Sequence, residues 1–396
     1  MRPLILIPGV NGSILVNKNN QYKHVLHHKI PYNRWINTDI LSSQNGSVQW
    51  ANDMKCTLRK DVSGKIIGIT YDDQDIIPFD IGGTKGIKDI IPELVHIPDY
   101  CRNLLDEWCN FRYFNSICHK LHDYSFEDHE SLYGIPYDFR AILDPITRQK
   151  TFETLQQTIE TSTRKMGRPA IIVTHSLGGI LFKIFCSSCV DKKWLNKHIA
   201  RWICINTPFG GCLYGMTSVL GGSNNPLLPK VINSELKYVT GIIACMPNLL
   251  GYDEDEPLLY VGKNKTTPIT IKDYTDLSKH TSKHISIPFK IWIDLFEPLL
   301  PHLMKELDIP AHMILAKNMN TRVVPILKTL DDIYPTYTDN EIGDGVATMK
   351  SLKSYEKFLN PDRVRETILC SNNHSSILGD KHLIRIIMDY ALQHWE

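Results

Sequence analysis

Apolar residues in this chain come in short bursts set between longer polar stretches. Residues 3–7 (PLILI) form an unbroken apolar run that ends in the turn PGVNG, the pattern of a strand buried on both faces. The run AIIVT at 170–174 repeats it, and IARWICIN (199–206), AHMILAKN from about 310 and RETILCS (365–371) predict three further strands. Residues 131–140 (SLYGIPYDFR) read as a strand and its loop. Between these runs the period changes. Over 105–123, Leu105, Trp108, Phe111, Phe114, Ile117 and Leu121 recur at helical spacing. Residues 149–166 predict a polar-faced helix stopped by Gly167 and Pro169, and residues 177–190 predict another. Strand, helix and strand in alternation, with the strands apolar throughout, predict an α/β fold on a parallel sheet.

Two stretches break the rhythm. Residues 31–104 read as irregular, carrying Trp35, Trp50 and the glycine-rich DIGGTKGIKDI at 80–90. Residues 211–300 carry YGMTSVLGGSNNP and an acidic run at 253–256. The expected organisation is therefore a catalytic core of 1–30, 105–210 and 301–396, a cap insertion at 31–104, and a lid and cap insertion at 211–300.

Composition narrows the class. Of 396 residues 42% are hydrophobic and 22% charged, enough for an ordinary core. Forty-four Lys and Arg against 43 Asp and Glu leave a net charge of +1, which provides no footprint for nucleic acid. No run of 18 apolar residues predicts a membrane span. Pro3, Pro8 and Gly9 interrupt the N-terminal apolar stretch where an export signal needs a helix. The ten cysteines include a C-x-x-C pair, Cys186 and Cys189, which falls on a predicted helix and reads as packing rather than redox chemistry. His280 and His284 are four apart but lack the glutamate of a zinc-hydrolase motif, so no metal site and no cofactor are expected.

The chemistry concentrates at THSLGG, 174–179, where a strand enters and a helix leaves. That context is a nucleophile elbow: a sharp turn lifts a serine above the sheet edge, and small flanking residues let strand and helix approach. Ser176 is the expected nucleophile of an α/β-hydrolase fold, with Thr174 in place of the first glycine of G-x-S-x-G. A serine hydroxyl needs a base, and the base needs an orienting carboxylate, in the chain order Ser, acid, His. His374, in the loop SNNHSS after the last predicted strand, is the base candidate ahead of His382 and His394. Asp344, between Gly343 and Gly345, is the acid candidate ahead of Asp331, Asp332 and Asp339. An oxyanion needs two converging N–H donors. The amide of Leu177 follows the nucleophile, and the amide of Val10, in the turn PGVNG, is the second candidate.

Eight segments in order then resemble the lecithin:cholesterol acyltransferase family. They are LILIPGVNGS (4–13), FDIGGTKGIKDI (79–90), YGIPYDFR (133–140), IVTHSLGG, INTPFGG (205–211), TPITIKDY (267–274), GDGVATMKSL (343–352) and NHSSIL (373–378). The resemblance implies a Ser176–Asp344–His374 triad with Val10 and Leu177 as oxyanion donors, and calcium-independent acyl transfer from a glycerophospholipid to water or a lipid alcohol. It also implies a cap that meets a membrane or lipoprotein-like surface, with Trp35, Trp50 and the apolar residues of 213–229 as candidate lipid contacts. The two-disulfide pattern of secreted and lysosomal members is not evident in the cysteine positions. With no export signal visible, an intracellular enzyme at a membrane periphery is expected. Two other readings fit the same residues: a soluble carboxylesterase of this fold, and a catalytically inactive lipid-binding scaffold.

Overall fold

The computed structural model describes residues 1–25, 28–34, 44–54, 56–71, 75–91, 112–221, 236–262, 267–317, 319–330 and 336–392. Its centre is a six-stranded sheet made of β1 (Leu4–Ile7), β2 (Leu132–Gly134), β3 (Ala170–His175), β4 (Ile199–Ile205), β5 (Ala311–Ala316) and β6 (Val364–Leu369). The strands lie in the order β6-β5-β4-β3-β1-β2, and every pairing is parallel. All six predicted runs are strands.

Their apolar continuity follows from a sheet covered on both sides. Successive side chains alternate, so Ile5, Ile7 and Ile172 enter one core and Leu4, Leu6, Ile171 and Val173 the other. The second face is covered by α1 (Asn115–Asp123), through Ile117, Cys118 and Leu121, and by α5 (Lys381–Ala391), through Leu383, Ile386 and Ile387. The first is covered by α2 (Pro145–Met166), through Phe152, Leu155 and Ile159, and by α3 (Leu177–Ser188). A further helix, α4 (Lys192–His198), leads into β4. Helix α2 starts four residues before its periodicity predicts, because the Asp144 carboxylate caps it by accepting the Thr147 N–H at 3.0 Å and Pro145 suits its first turn. It ends at Gly167, as predicted, with φ at 64°. Helix α1 is shorter than its pattern: Arg112–Phe114 form a turn, and residues 105–111 lie outside the described ones.

β1 neighbours both β2 and β3, so the chain leaves it first to one side and then to the other. In open parallel sheets such a switch opens a crevice at the strands' carboxyl ends. The turn PGVNG and the elbow THSLGG sit on either side of it.

The stretch expected to be irregular is partly regular. It holds a helix, Gln44–Asp53, a hairpin of Cys56–Lys60 and Ile66–Tyr71, and a strand, Ile76–Pro78, that pairs with Leu15–Asn17. These elements fasten onto the core. Arg59 Nη2 meets Asp144 Oδ1 at 2.6 Å, and the Ile66 N–H donates to Asp294 Oδ2 at 2.8 Å. Trp50 is a correction to the lipid-contact reading: it is 1% exposed and packs in the main core with Ile66 and Ile69. Trp35 lies outside the described residues. In 213–229, helix Leu213–Gly221 buries Leu213, Met216, Val219 and Leu220, leaving Tyr214 exposed, and 222–229 are not among the described residues. No helix among the described residues is long and apolar enough to cross a membrane.

Candidate active site

Ser176 sits between β3 and α3 with φ 53° and ψ −127°. Side chains seldom take this region, and a residue held there is kept by its surroundings. The surroundings are visible. The Ser176 N–H donates to the Ile205 carbonyl at 3.0 Å, and its carbonyl accepts from Thr207 Oγ1 at 3.0 Å. Close approach needs glycine on the far side: a Cβ on Gly178 would lie 2.5 Å from the Ile7 carbonyl oxygen and 2.6 Å from that of Pro8. The Thr174 departure has its own explanation, because its hydroxyl accepts the buried indole N–H of Trp202 at 2.9 Å. A glycine there would leave that donor unmatched.

Three distant stretches meet at this serine. His374 Nε2 lies 2.9 Å from Ser176 Oγ, and His374 Nδ1 lies 2.6 Å from Asp344 Oδ2. Asp344 is fully buried, and its other oxygen accepts the Val346 and Ala347 N–H groups at 2.9 and 2.7 Å. A carboxylate so placed accepts a hydrogen bond from the His374 Nδ1–H and holds that tautomer, which leaves Nε2 with a lone pair toward the serine hydroxyl. The His374 N–H also donates to the Asp344 carbonyl at 2.6 Å, so acid and base are joined through backbone as well as side chain.

The candidate oxyanion residues sit beside the serine. Leu177 is the first residue of α3, where an N–H has no acceptor within the helix. Gly9 touches the nucleophile: a Cβ there would lie 2.7 Å from Ser176 Cβ and 3.2 Å from Oγ. The adjoining Val10 side chain and that of Leu177 converge on Gly241, whose added Cβ would meet them at 3.4 and 3.0 Å. Tyr137 holds this turn from behind, its hydroxyl donating to the Pro8 carbonyl at 2.9 Å.

Sequence reasoning missed the polar groups that fix the two loops. Asn206, at φ 45°, donates from Nδ2 to the His374 carbonyl at 3.1 Å and accepts the Ala316 N–H at 2.8 Å. Thr321 Oγ1 accepts the Gly345 N–H at 2.9 Å, beside the acid. Neither has a signal in its own neighbourhood, since each reaches a loop more than 20 residues away. His175, also missed, has its ring centroid 5.0 Å from that of His374, and Tyr113 packs against His175 in turn. The paired histidines considered as metal ligands have other partners. His280 Nδ1 accepts the Ser282 N–H, and His284 bonds the Tyr238 hydroxyl. Asp331, Asp332 and His394 lie outside the described residues. Among the described residues no group of three or more His, Cys, Asp or Glu is placed to hold a metal ion.

A parallel sheet with an elbow residue at the carboxyl end of a central strand defines an α/β hydrolase. One solved structure, a chain of the Tle4–Tli4 complex, superposes over 99% of this chain and 98% of its own, with a TM-score of 0.54 at 12% identity, a likeness of fold alone. The family model of lecithin:cholesterol acyltransferase matches residues 105–286. Lecithin-cholesterol acyltransferase-like 1 of Arabidopsis thaliana is 24% identical over 418 aligned positions, covering 98% of this chain and 88% of that protein. Lecithin-cholesterol acyltransferase-like 4 of the same plant is 25% identical over 58% of this chain, which spans only 40% of its length. Lysosomal phospholipase A and acyltransferase of Canis lupus familiaris is 27% identical over 28% of this chain and 27% of its own. The likeness to the lecithin:cholesterol acyltransferase family thus covers residues 105–286 by the family model and nearly the whole chain by one plant relative.

Proposed function

We propose that this protein is a serine-dependent lipid acyl hydrolase or transferase that takes an acyl chain from a glycerophospholipid through an acyl-enzyme. The observation that carries the reading is the continuous line from Ser176 Oγ through His374 to the buried Asp344, at 2.9 and 2.6 Å, beside the crevice of the sheet. In the first half-reaction Ser176 Oγ attacks the ester carbonyl while His374 Nε2 takes its proton. The carbonyl π pair moves to oxygen, and the Val10 and Leu177 amides receive the oxyanion. Collapse expels the lysophospholipid alkoxide, which leaves with the proton from His374. In the second half, water or a lipid alcohol gives its proton to His374 and attacks the acyl-serine; collapse breaks the bond to Ser176 Oγ, which takes the proton back from His374 as free fatty acid or a new ester is released. Asp344 keeps its charge throughout and stabilises the imidazolium. No step requires a metal or cofactor.

The match to the family model over residues 105–286 and the names of the aligned relatives support a phospholipid donor. Residues 31–104 and 211–300 act in this reading as cap and lid, and the enzyme works at a membrane surface. Phosphatidylcholine vesicles carrying a labelled acyl chain test it, with and without sterol, diacylglycerol or ceramide. Lysophospholipid together with labelled fatty acid or a labelled new ester is expected. Equal turnover of a short ester below and above its micelle threshold, with vesicles untouched, marks a carboxylesterase instead.

A further inference from the structure

Beneath the candidate triad runs a second line of hydrogen bonds that the proposed chemistry does not use. The Gly9 N–H donates to the Tyr113 hydroxyl at 2.8 Å. The same hydroxyl bonds His175 Nδ1. His175 Nε2 in turn lies 2.8 Å from the carbonyl oxygen of His374. Tyr113 and His175 are 6% and 2% exposed, so water does not compete for these bonds.

The protons can be placed in only one way. A carbonyl oxygen only accepts, so His175 Nε2 carries a hydrogen. Burial, reinforced by the charge His374 acquires, pushes the His175 imidazolium down to about 3, so the ring is neutral and Nδ1 has a lone pair. The Tyr113 O–H therefore donates to Nδ1, and the Tyr113 oxygen receives the Gly9 N–H. Burial raises the Tyr113 phenol well above its usual range, so it keeps the hydrogen this arrangement needs. Neutrality also matters for the neighbouring base: the two imidazole centroids are 5.0 Å apart, and a charged His175 would oppose the imidazolium that forms on His374.

Each end of this line is a part the proposed reaction needs. At one end is the turn that presses Gly9 against Ser176 and carries the Val10 amide. At the other is the backbone of the base itself. We infer that Tyr113 and His175 are positioning residues that hold the oxyanion turn and the His374 imidazole in mutual register through one directional chain of hydrogen bonds. This inference rests on the acyl-transfer reading above.

Removing the phenol oxygen with Tyr113→Phe orphans the Gly9 N–H and frees the His175 tautomer, at little change in shape. His175→Phe removes both of the ring's bonds, whereas His175→Gln can still donate to the His374 carbonyl and accept from Tyr113. Steady-state kinetics on phosphatidylcholine vesicles decide the matter. Y113F and H175F are expected to lower kcat by about 10- to 100-fold with KM within about twofold, since the defect lies in alignment rather than substrate binding. H175Q is expected to recover most of what H175F loses. The double variant Y113F/H175F is expected to lose no more than the worse single one, as members of one chain do. Unchanged kcat in folded Y113F overturns the inference, as does a double loss equal to the product of the single losses. Should H175F fail to fold, Y113F decides alone. Fluorophosphonate labelling of the wild type separates the two readings: no adduct on Ser176 overturns the acyl-transfer reading, whereas an adduct formed at equal rates in wild type and Y113F overturns only the positioning role.

Discussion

The nucleophile elbow and the base loop meet at the Ser176–His374 contact, and they are held by different means. The elbow is held largely by shape: β3 and α3 are buried along almost their whole length, and Gly178 leaves no space for a methyl group against Ile7 and Pro8. The base loop packs against little. It is held by polar bonds to its backbone from Asp344, Asn206 and His175. A part held by shape writes its constraint into its own sequence. A part held by partner groups writes it elsewhere.

That difference predicts graded consequences. The largest belongs to the polar side, at the acid. Asp344→Asn puts an amide where the His374 Nδ1–H is accepted and favours the wrong tautomer, so kcat is expected to fall about 10⁴-fold while the protein stays folded; stopped-time product assays with a melting curve check both halves. On the side held by shape, Gly178→Ala forces a carbon to within 2.5 Å of a backbone oxygen that cannot swing away. A loss of about 1–3 kcal/mol or more in urea unfolding is expected, with activity falling alongside stability. If the elbow tolerates alanine at no cost, the contrast between the two loops is lost.

Asn206→Ala gives a smaller effect of mixed kind. It takes a donor from the His374 carbonyl and leaves the Ala316 N–H unmatched, for about 1–3 kcal/mol of stability, with kcat lower by about tenfold. The last effect lies away from the site, on stability alone, and leaves activity near neutral pH unchanged. His312, on β5, is 2% exposed and bonds Tyr390 and Thr367. Burial, with the nearby Arg201, Arg365 and His382 charges, pushes its imidazolium down to about 4. The unfolded chain then binds a proton below about pH 6.5 that the folded one does not, so stability present above that pH is lost as pH falls toward 4. His312→Gln is expected to flatten the unfolding free energy against pH in that window by about 1.4 kcal/mol per unit.

Legibility in the sequence followed the same division. The inner strands β1 and β3 announced themselves as apolar runs because both sheet faces are covered there, whereas the edge strand β6 is part-exposed and carries polar residues. Ser176 was legible because the elbow's needs are local. His374 and Asp344 were legible through chain order and glycine-flanked turns. Tyr113, His175, Asn206 and Thr321 were not: they act across 24 to 199 positions on backbone groups, where side-chain identity leaves no pattern. Trp50 misled for a related reason, since an aromatic in an irregular-looking stretch gives no sign of the core it fills. The regular structure within 31–104 went unseen because its strands are short and part-exposed.

The account's central claim is that Ser176 is made nucleophilic by His374. Reaction of the folded protein with a fluorophosphonate, followed by mass mapping of the adduct, tests it most directly. The account predicts a single adduct on Ser176, none in S176A, and at least 100-fold slower labelling in H374A. An adduct on another residue, or labelling that proceeds at full speed without the imidazole, contradicts it.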